Sequence, residues 1–273
     1  MFVSDVRRPD GGSPALSDPD GSPDPRQDKV AARDALRARG RTSLTTLAER
    51  VRPVSTSSSR VLPVPPFLAD LLPEGGLRRG STLVVDGPGP VGLACALLSD
   101  SSAAGSWCAM VGIEDPGAAA IHTLGLDLAR TVFVPNPGPA WAEATAHLLD
   151  GIDLVVLRPP FPPRGSMARR MVARARERRS VLIVVPGGSR WPEPPDVRLT
   201  IQNPRWTGVA SGEGYLRGRH VTVEATGRRS AARARTGTCW LPGAHGSLEA
   251  PTLSGMGPSG PTFHHLDSRT PVI

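Results

Sequence analysis

The residues with the clearest chemical meaning lie in the stretch 75–98, GGLRRGSTLVVDGPGPVGLACALL. A hydrophobic run at 82–85 reads as a strand. It leads into a glycine-rich turn and then into an Ala/Leu stretch that reads as a helix. That order is the setting of a phosphate-binding loop, G-x-x-x-x-G-K-[ST], whose backbone N–H groups and helix N-terminus surround the phosphates. Gly87 and Gly92 hold the two glycine positions, with Gly89 between them. Leu93 and Ala94 stand where the lysine and the hydroxyl residue belong. The lysine would carry charge to the β- and γ-phosphates, and the hydroxyl would hold Mg²⁺. Pro88 and Pro90 donate no N–H. Lys29, the single lysine of the chain, lies far upstream. Charge-assisted hydrogen bonds contribute about 1.5–3 kcal/mol each. Losing two or three of them weakens nucleotide binding roughly a thousandfold. Gly87, Gly89 and Gly92 therefore read as the remnant of a nucleotide cradle, with no bound cofactor expected.

The second chemical signal is charge. Residues 61–157 carry 3 basic and 10 acidic groups (−7), whereas residues 158–240 carry 17 and 5 (+12). Such segregation points to a surface that faces a polyanion. In SMARRMVARARERR (166–179), Ser166 is a good N-cap. Met167, Met171, Val172 and Ala175 would pack on a sheet, leaving Arg169, Arg170, Arg174, Arg176, Arg178 and Arg179 to solvent, DNA or an acidic partner. In RGRHVTVEA, alternation sets Arg217, Arg219, Val221 and Val223 on one face, opposite His220, Thr222 and Glu224. That pattern fits a half-exposed sheet edge or a partner-binding edge. The histidines show no ligand spacing, and Cys95, Cys108 and Cys239 form no CxxC pair. No metal site is expected, and buried reduced thiols fit a cytoplasmic protein.

The elements that must hold these residues follow from the aliphatic runs. STLVVDG, WCAMVGI, TVFVP, IDLVVLR and SVLIVVPGG are short and bounded by Gly or Pro, as in strands buried on both faces of a parallel sheet. The stretches 91–100, 117–129, 140–150 and 166–179 predict helices between them. Residues 197–202, 214–225 and 237–241 predict strands of an antiparallel edge. The fold class expected is α/β: a mainly parallel central sheet, helices on both faces and an antiparallel C-terminal edge. Around this core (61–243) the composition predicts a disordered segment at 1–25, short helices and a linker at 26–60, and a loose tail at 244–273. No run of 18 apolar residues and no secretion signal are seen, so no membrane association is expected.

In its motif order the chain resembles RecA-type recombinases over about 61–243. The loop at 75–98, the run 107–138, the strands IDLVVLR and SVLIVV, and the stretch from VRLTIQ to TCWLPG follow the order of that core. The resemblance implies a RecA-like, P-loop-type fold. It sets Glu114 at the glutamate that activates the attacking water, and Arg158 at the magnesium-associated aspartate. It also implies that the turns 159–165 and 186–195 face DNA. There Arg164, Arg190 and Trp191 are the groups able to contact a phosphate or stack on a base. With lysine, hydroxyl and aspartate replaced, ATPase activity is not expected, and Glu114 is at most a catalytic remnant. Among RecA-like proteins with eroded nucleotide sites, the chain looks most similar to the actinobacterial ImuA-type proteins. That similarity implies an SOS-induced accessory role in translesion synthesis, with an ImuB-like polymerase homologue and an error-prone DNA polymerase as partners. DNA and self-association are further expectations. The alternatives are a divergent ATP- and DNA-binding ATPase and an SOS-type cell-division inhibitor.

Overall fold

The computed structural model describes residues 60–210, 213–228 and 231–250. The segments at 1–25 and 26–59, and the tail from 251 onward, lie outside the described residues. Strands β1 (Val61–Leu62) and β2 (Leu77–Arg78) form a small antiparallel pair flanking helix α1 (Pro66–Leu71). The main sheet holds β3 (Thr82–Asp86), β4 (Cys108–Val111), β5 (Thr131–Val134), β6 (Leu154–Leu157), β7 (Val181–Val184), β8 (Val197–Ala210), β9 (Glu213–Gly227) and β10 (Arg235–Trp240). Their order is β10-β9-β8-β3-β7-β6-β4-β5. Strands β3 to β8 run parallel, and β9 and β10 close the sheet antiparallel. The longer connections carry α2 (Pro90–Ala103), α3 (Ala118–Thr123), α4 (Trp141–Gly151) and α5 (Gly165–Arg178). The expected fold class is present.

The sheet is covered on both faces because its central strands β4, β6 and β7 are apolar at every position and the side chains alternate. Leu83, Val85, Cys108, Met110, Leu154, Val156, Val181 and Ile183 point into one core with α1, α2 and α3. Val84, Ala109, Val111, Val155, Leu157, Leu182 and Val184 point into a second core with α4 and α5. On α5, Ala168, Met171 and Ala175 are buried, with Met167 and Val172 packed beside them. Two of the arginines left to solvent, DNA or an acidic partner clip α5 to α4: Arg174 pairs in fork geometry with Asp150, and Arg178 Nε lies 3.2 Å from the same carboxylate.

Three boundaries differ from the sequence reading. Helix α5 starts at Gly165 with Arg164 as its extended N-cap, so Ser166 lies inside the first turn and caps nothing. Strand β8 does not stop near 202 but runs to Ala210, because β9 continues to pair with it across two register shifts. Residues 244–250 are not loose: Trp240 and Glu249 exchange backbone hydrogen bonds, and Gly243 N–H donates to Ser247 O. Among the described residues, no helix is long and apolar enough to cross a membrane.

One buried ion pair fixes the opposite edge of the sheet from the glycine loop. Arg79 Nη1 donates to Asp153 Oδ1 at 2.7 Å, and Asp153 Oδ2 accepts from the Trp107 amide at 3.1 Å. The remaining two Arg79 nitrogens are buried without a partner among the described residues. Removing one partner of a buried pair strands the other charge, at a cost of about 3–5 kcal/mol. Asp153→Ala is expected to lower unfolding free energy in urea by that amount; a loss below about 1 kcal/mol would contradict this assignment.

Burial pushes all three thiols, Cys95, Cys108 and Cys239, from 9.0 up to about 12. The folded chain thus holds protons that the unfolded chain has released. Stability contributed by the neutral thiols is complete below pH 9.0 and is lost as pH rises toward about 12. Urea midpoints measured across that window should fall, and a Cys239→Ser variant should show a shallower fall. Identical slopes would contradict it.

Candidate functional site: a glycine loop held by an arginine

Strand β3 delivers Asp86, paired with Arg198 of β8, to the mouth of the loop. The loop then turns at Gly87 (φ +92°) and Gly89 (φ +66°), backbone conformations that favour glycine. At Gly87 a side chain would also run into the Ile201 backbone of β8. Gly89 is the N-cap of α2, and Pro90 follows as the first helical residue, where its missing N–H costs nothing. No side chain caps this helix end. Leu93 and Ala94 are 0 % exposed and sit in the core between α2 and the sheet. They act as core residues, and the loop mouth has neither a cation nor a hydroxyl from its own segment.

The cation comes from elsewhere. Arg219, on β9, is 8 % exposed, and its guanidinium lies against Gly89. Its Nε donates to Leu241 O at 2.6 Å and its Nη1 to Pro88 O at 3.3 Å. The Trp206 ring of β8 lies under the guanidinium, 5.7 Å from its carbon. Backbone bonds from Arg219 N–H to Pro242 O (2.8 Å) and from Leu241 N–H to Arg219 O (2.7 Å) fix the strand at that point. No carboxylate pairs with this arginine among the described residues, and burial lowers its pKa from the usual value. The alternation that set Arg219 with Val221 and Val223 is observed, since both valines are fully buried. An arginine on the apolar face of a strand was therefore the available signal. Its target, the loop 130 residues upstream, had none. The two arginines just before β3 do not serve it: Arg79 is committed to Asp153, and Arg78 lies near Glu74 and Asp196.

The remaining candidates separate into two groups. Because β3, β7, β6 and β4 are neighbours and parallel, the turns after them share one edge of the sheet. Glu114, Arg158, Arg164 and Arg190 are exposed there with the glycine loop. Gly112 lets the turn after β4 approach the Arg158 carbonyl, and Gly187 lies beside the Arg158 side chain. Glu114 has no ion-pair partner among the described residues. Trp191 departs from the reading: it is 3 % exposed and packs in the core under α4 and α5, so its ring cannot stack on a base. Arg169 and Arg170 are exposed on α5, and Arg169 Nη1 lies 3.4 Å from Glu193 Oε1.

These residues do not fit a magnesium triphosphate. The lysine and hydroxyl positions are inside the core, an arginine stands in place of the magnesium-associated carboxylate, and two loop positions lack an N–H. A simple substitution exposes the difference between a missing residue and a missing site. Leu93→Lys restores the motif on paper, yet it drives an ammonium into a fully buried position. It should lower stability by at least about 2–5 kcal/mol, the range for emptying such a site, and should confer no ATP binding by calorimetry. A folded Leu93→Lys protein that binds ATP would contradict this geometry.

Comparison with known proteins agrees with the fold. Residues 70–193 match the family described as the MT3502 N-terminal domain. The crystal structure of the RadB recombinase superposes with a TM-score of 0.50 over 68 % of this chain and 97 % of that one, at 15 % identity, which supports a RecA-like fold and nothing finer. The protein Rv3395c of Mycobacterium tuberculosis is 36 % identical over 142 residues, 50 % of this chain and 67 % of that protein. The chain has a RecA-like fold and belongs to the family of mycobacterial Rv3395c.

Proposed function

We propose that the protein is a non-catalytic RecA-like accessory protein of DNA repair. It acts in the cytoplasm beside an ImuB-like polymerase homologue and an error-prone DNA polymerase during SOS-induced translesion synthesis. The observation that carries the non-catalytic part is the glycine loop itself. Its chemically active positions are core leucine and alanine, and the guanidinium beside Gly89 belongs to the chain's own Arg219. A loop ordered by an internal cation has no need of a nucleotide to reach its working shape. The ImuA-type assignment rests on the arginine-rich composition, the Arg158–Pro159–Pro160 departure and the short helices predicted at 26–60, and the RecA-like fold and the mycobacterial relative are consistent with it. Exposed Arg158, Arg164 and Arg190 along one sheet edge support a contact with DNA phosphates.

A second reading gains from one observation. Arg219 supplies a cation at the loop, which a divergent DNA-dependent ATPase would also require. Calorimetry of the full chain with ATP and Mg²⁺ separates the two. The accessory reading expects no saturable heat and no phosphate release with single-stranded DNA present. Micromolar binding with DNA-stimulated turnover would overturn it. Its adaptor part expects the full chain to co-purify with the ImuB-like homologue; absence of any association would reject that role.

A further inference from the structure

Strands β8 and β9 continue beyond the sheet. The last β8 residue paired with β3 is Thr200, opposite Asp86, and β10 ends at Trp240, opposite His220. Past these points the two strands form a ribbon with no third strand beside it among the described residues. Because β8 is parallel to β3, the ribbon extends from the same edge that carries the glycine loop. A lone two-stranded ribbon is marginal in water. This one is anchored at its base, where Trp206 and Arg219 face each other and Arg219 reaches Pro88. Two register shifts, between Gln202 and Arg205 and between Thr207 and Val209, twist it and re-aim its side chains. Gly208 (φ +95°) leaves room for the Arg217 side chain to cross the ribbon.

The outer part is built from an unusual set of side chains. Tyr215 is 68 % exposed and Leu216 is 48 % exposed. The Arg217 guanidinium lies 5.0 Å from the centre of the Tyr215 ring. One face of the ring is thus backed by a cation while most of the residue stays open to solvent. Arg205 and Arg217 are exposed on the ribbon, and Arg158, Arg164 and Arg190 are exposed in the turns of the same sheet edge. Phe161, 53 % exposed, lies in the turn between Arg158 and Arg164. Among the described residues, the exposed acidic residues in the turns after β3, β4, β6 and β7 are Glu114 and Asp115. Aromatic rings interleaved with arginines are the surface that single-stranded nucleic acid uses: cations track the phosphates while rings stack on bases. A protein-docking patch would instead gather its apolar side chains into one contiguous area.

We infer that the β8–β9 ribbon is a finger for single-stranded DNA, with Tyr215 stacking on a base and Arg217 meeting the adjacent phosphate. This rests on the reading that the protein works on DNA, and it moves the main contact from the short turns to the ribbon. The test uses the full chain and a fluorescein-labelled oligothymidine of about 20 nucleotides, long enough for one binding site, read by fluorescence anisotropy over a salt series. Tyr215→Ala should weaken binding by about 5- to 150-fold, the range for one base–aromatic stack. Tyr215→Phe should stay within about twofold of the wild type, since it keeps the stacking face. Arg217→Gln should reduce the slope of log K against log salt by about 0.7, one single-strand phosphate contact. Arg130→Gln, exposed just before β5 at the opposite end of the parallel strands, should change neither quantity. Tyr215→Ala binding like the wild type would overturn the finger, and so would a loss confined to capture of a protein partner. Absence of any oligonucleotide binding by the wild type would also overturn it, while leaving the nucleotide-independent reading to stand on its calorimetry.

Discussion

The contact between Arg219 and the loop at Gly89 is the constraint around which this edge of the molecule is organised. A guanidinium at the N-terminus of α2 meets the positive end of a helix dipole, and no carboxylate offsets it among the described residues. Its stabilisation comes from two backbone carbonyls and the face of Trp206. These contacts join three segments far apart in sequence: the loop after β3, the ribbon base and the turn after β10. In a working phosphate-binding loop the ligand would do part of that joining. Here the chain does it with its own side chain, and Leu93 and Ala94 are released to serve as core residues.

The rest of the core explains why the loop holds its shape without a ligand. Period-two alternation along β3, β4, β6 and β7 feeds two separate cores, so β3 is held from both sides and its end is fixed in space. Gly87 is pressed against the Ile201 backbone, and Gly89 against the arginine. These are packing requirements, independent of any ligand. They account for glycine at both positions without any ligand.

Much of this was legible in the sequence, for a physical reason. Aliphatic runs bounded by glycine and proline report strands buried on both faces, and the stretches between them had helical composition. The loop glycines and their missing partners could be read directly because the motif is local. What escaped was non-local. Trp191 was read as a base-stacking group because it follows Arg190 in a turn, yet its ring drops into the core under α4 and α5. The arginines of α5 read as left to solvent, DNA or an acidic partner, but Asp150, on another helix of the same chain, claims two of them. The run 203–210 carries Asn, Pro and Gly, which argue against a strand, and pairing with β9 across two bulges overrides them. Arg219 was placed on the correct face, but its target lies across the sheet on another strand's loop.

Hydrogen–deuterium exchange at the amides of residues 94–97, the first N–H groups of α2 with acceptors inside the helix, tests the central claim most directly. With the loop held by Arg219, those amides should be protected in the nucleotide-free wild type and should not respond to ATP and Mg²⁺. Arg219→Ala should release that segment while the amides of β4 and β6 stay protected. Fast exchange in the wild type that slows when ATP and Mg²⁺ are added would contradict the account. It would mean that the loop still waits for a nucleotide.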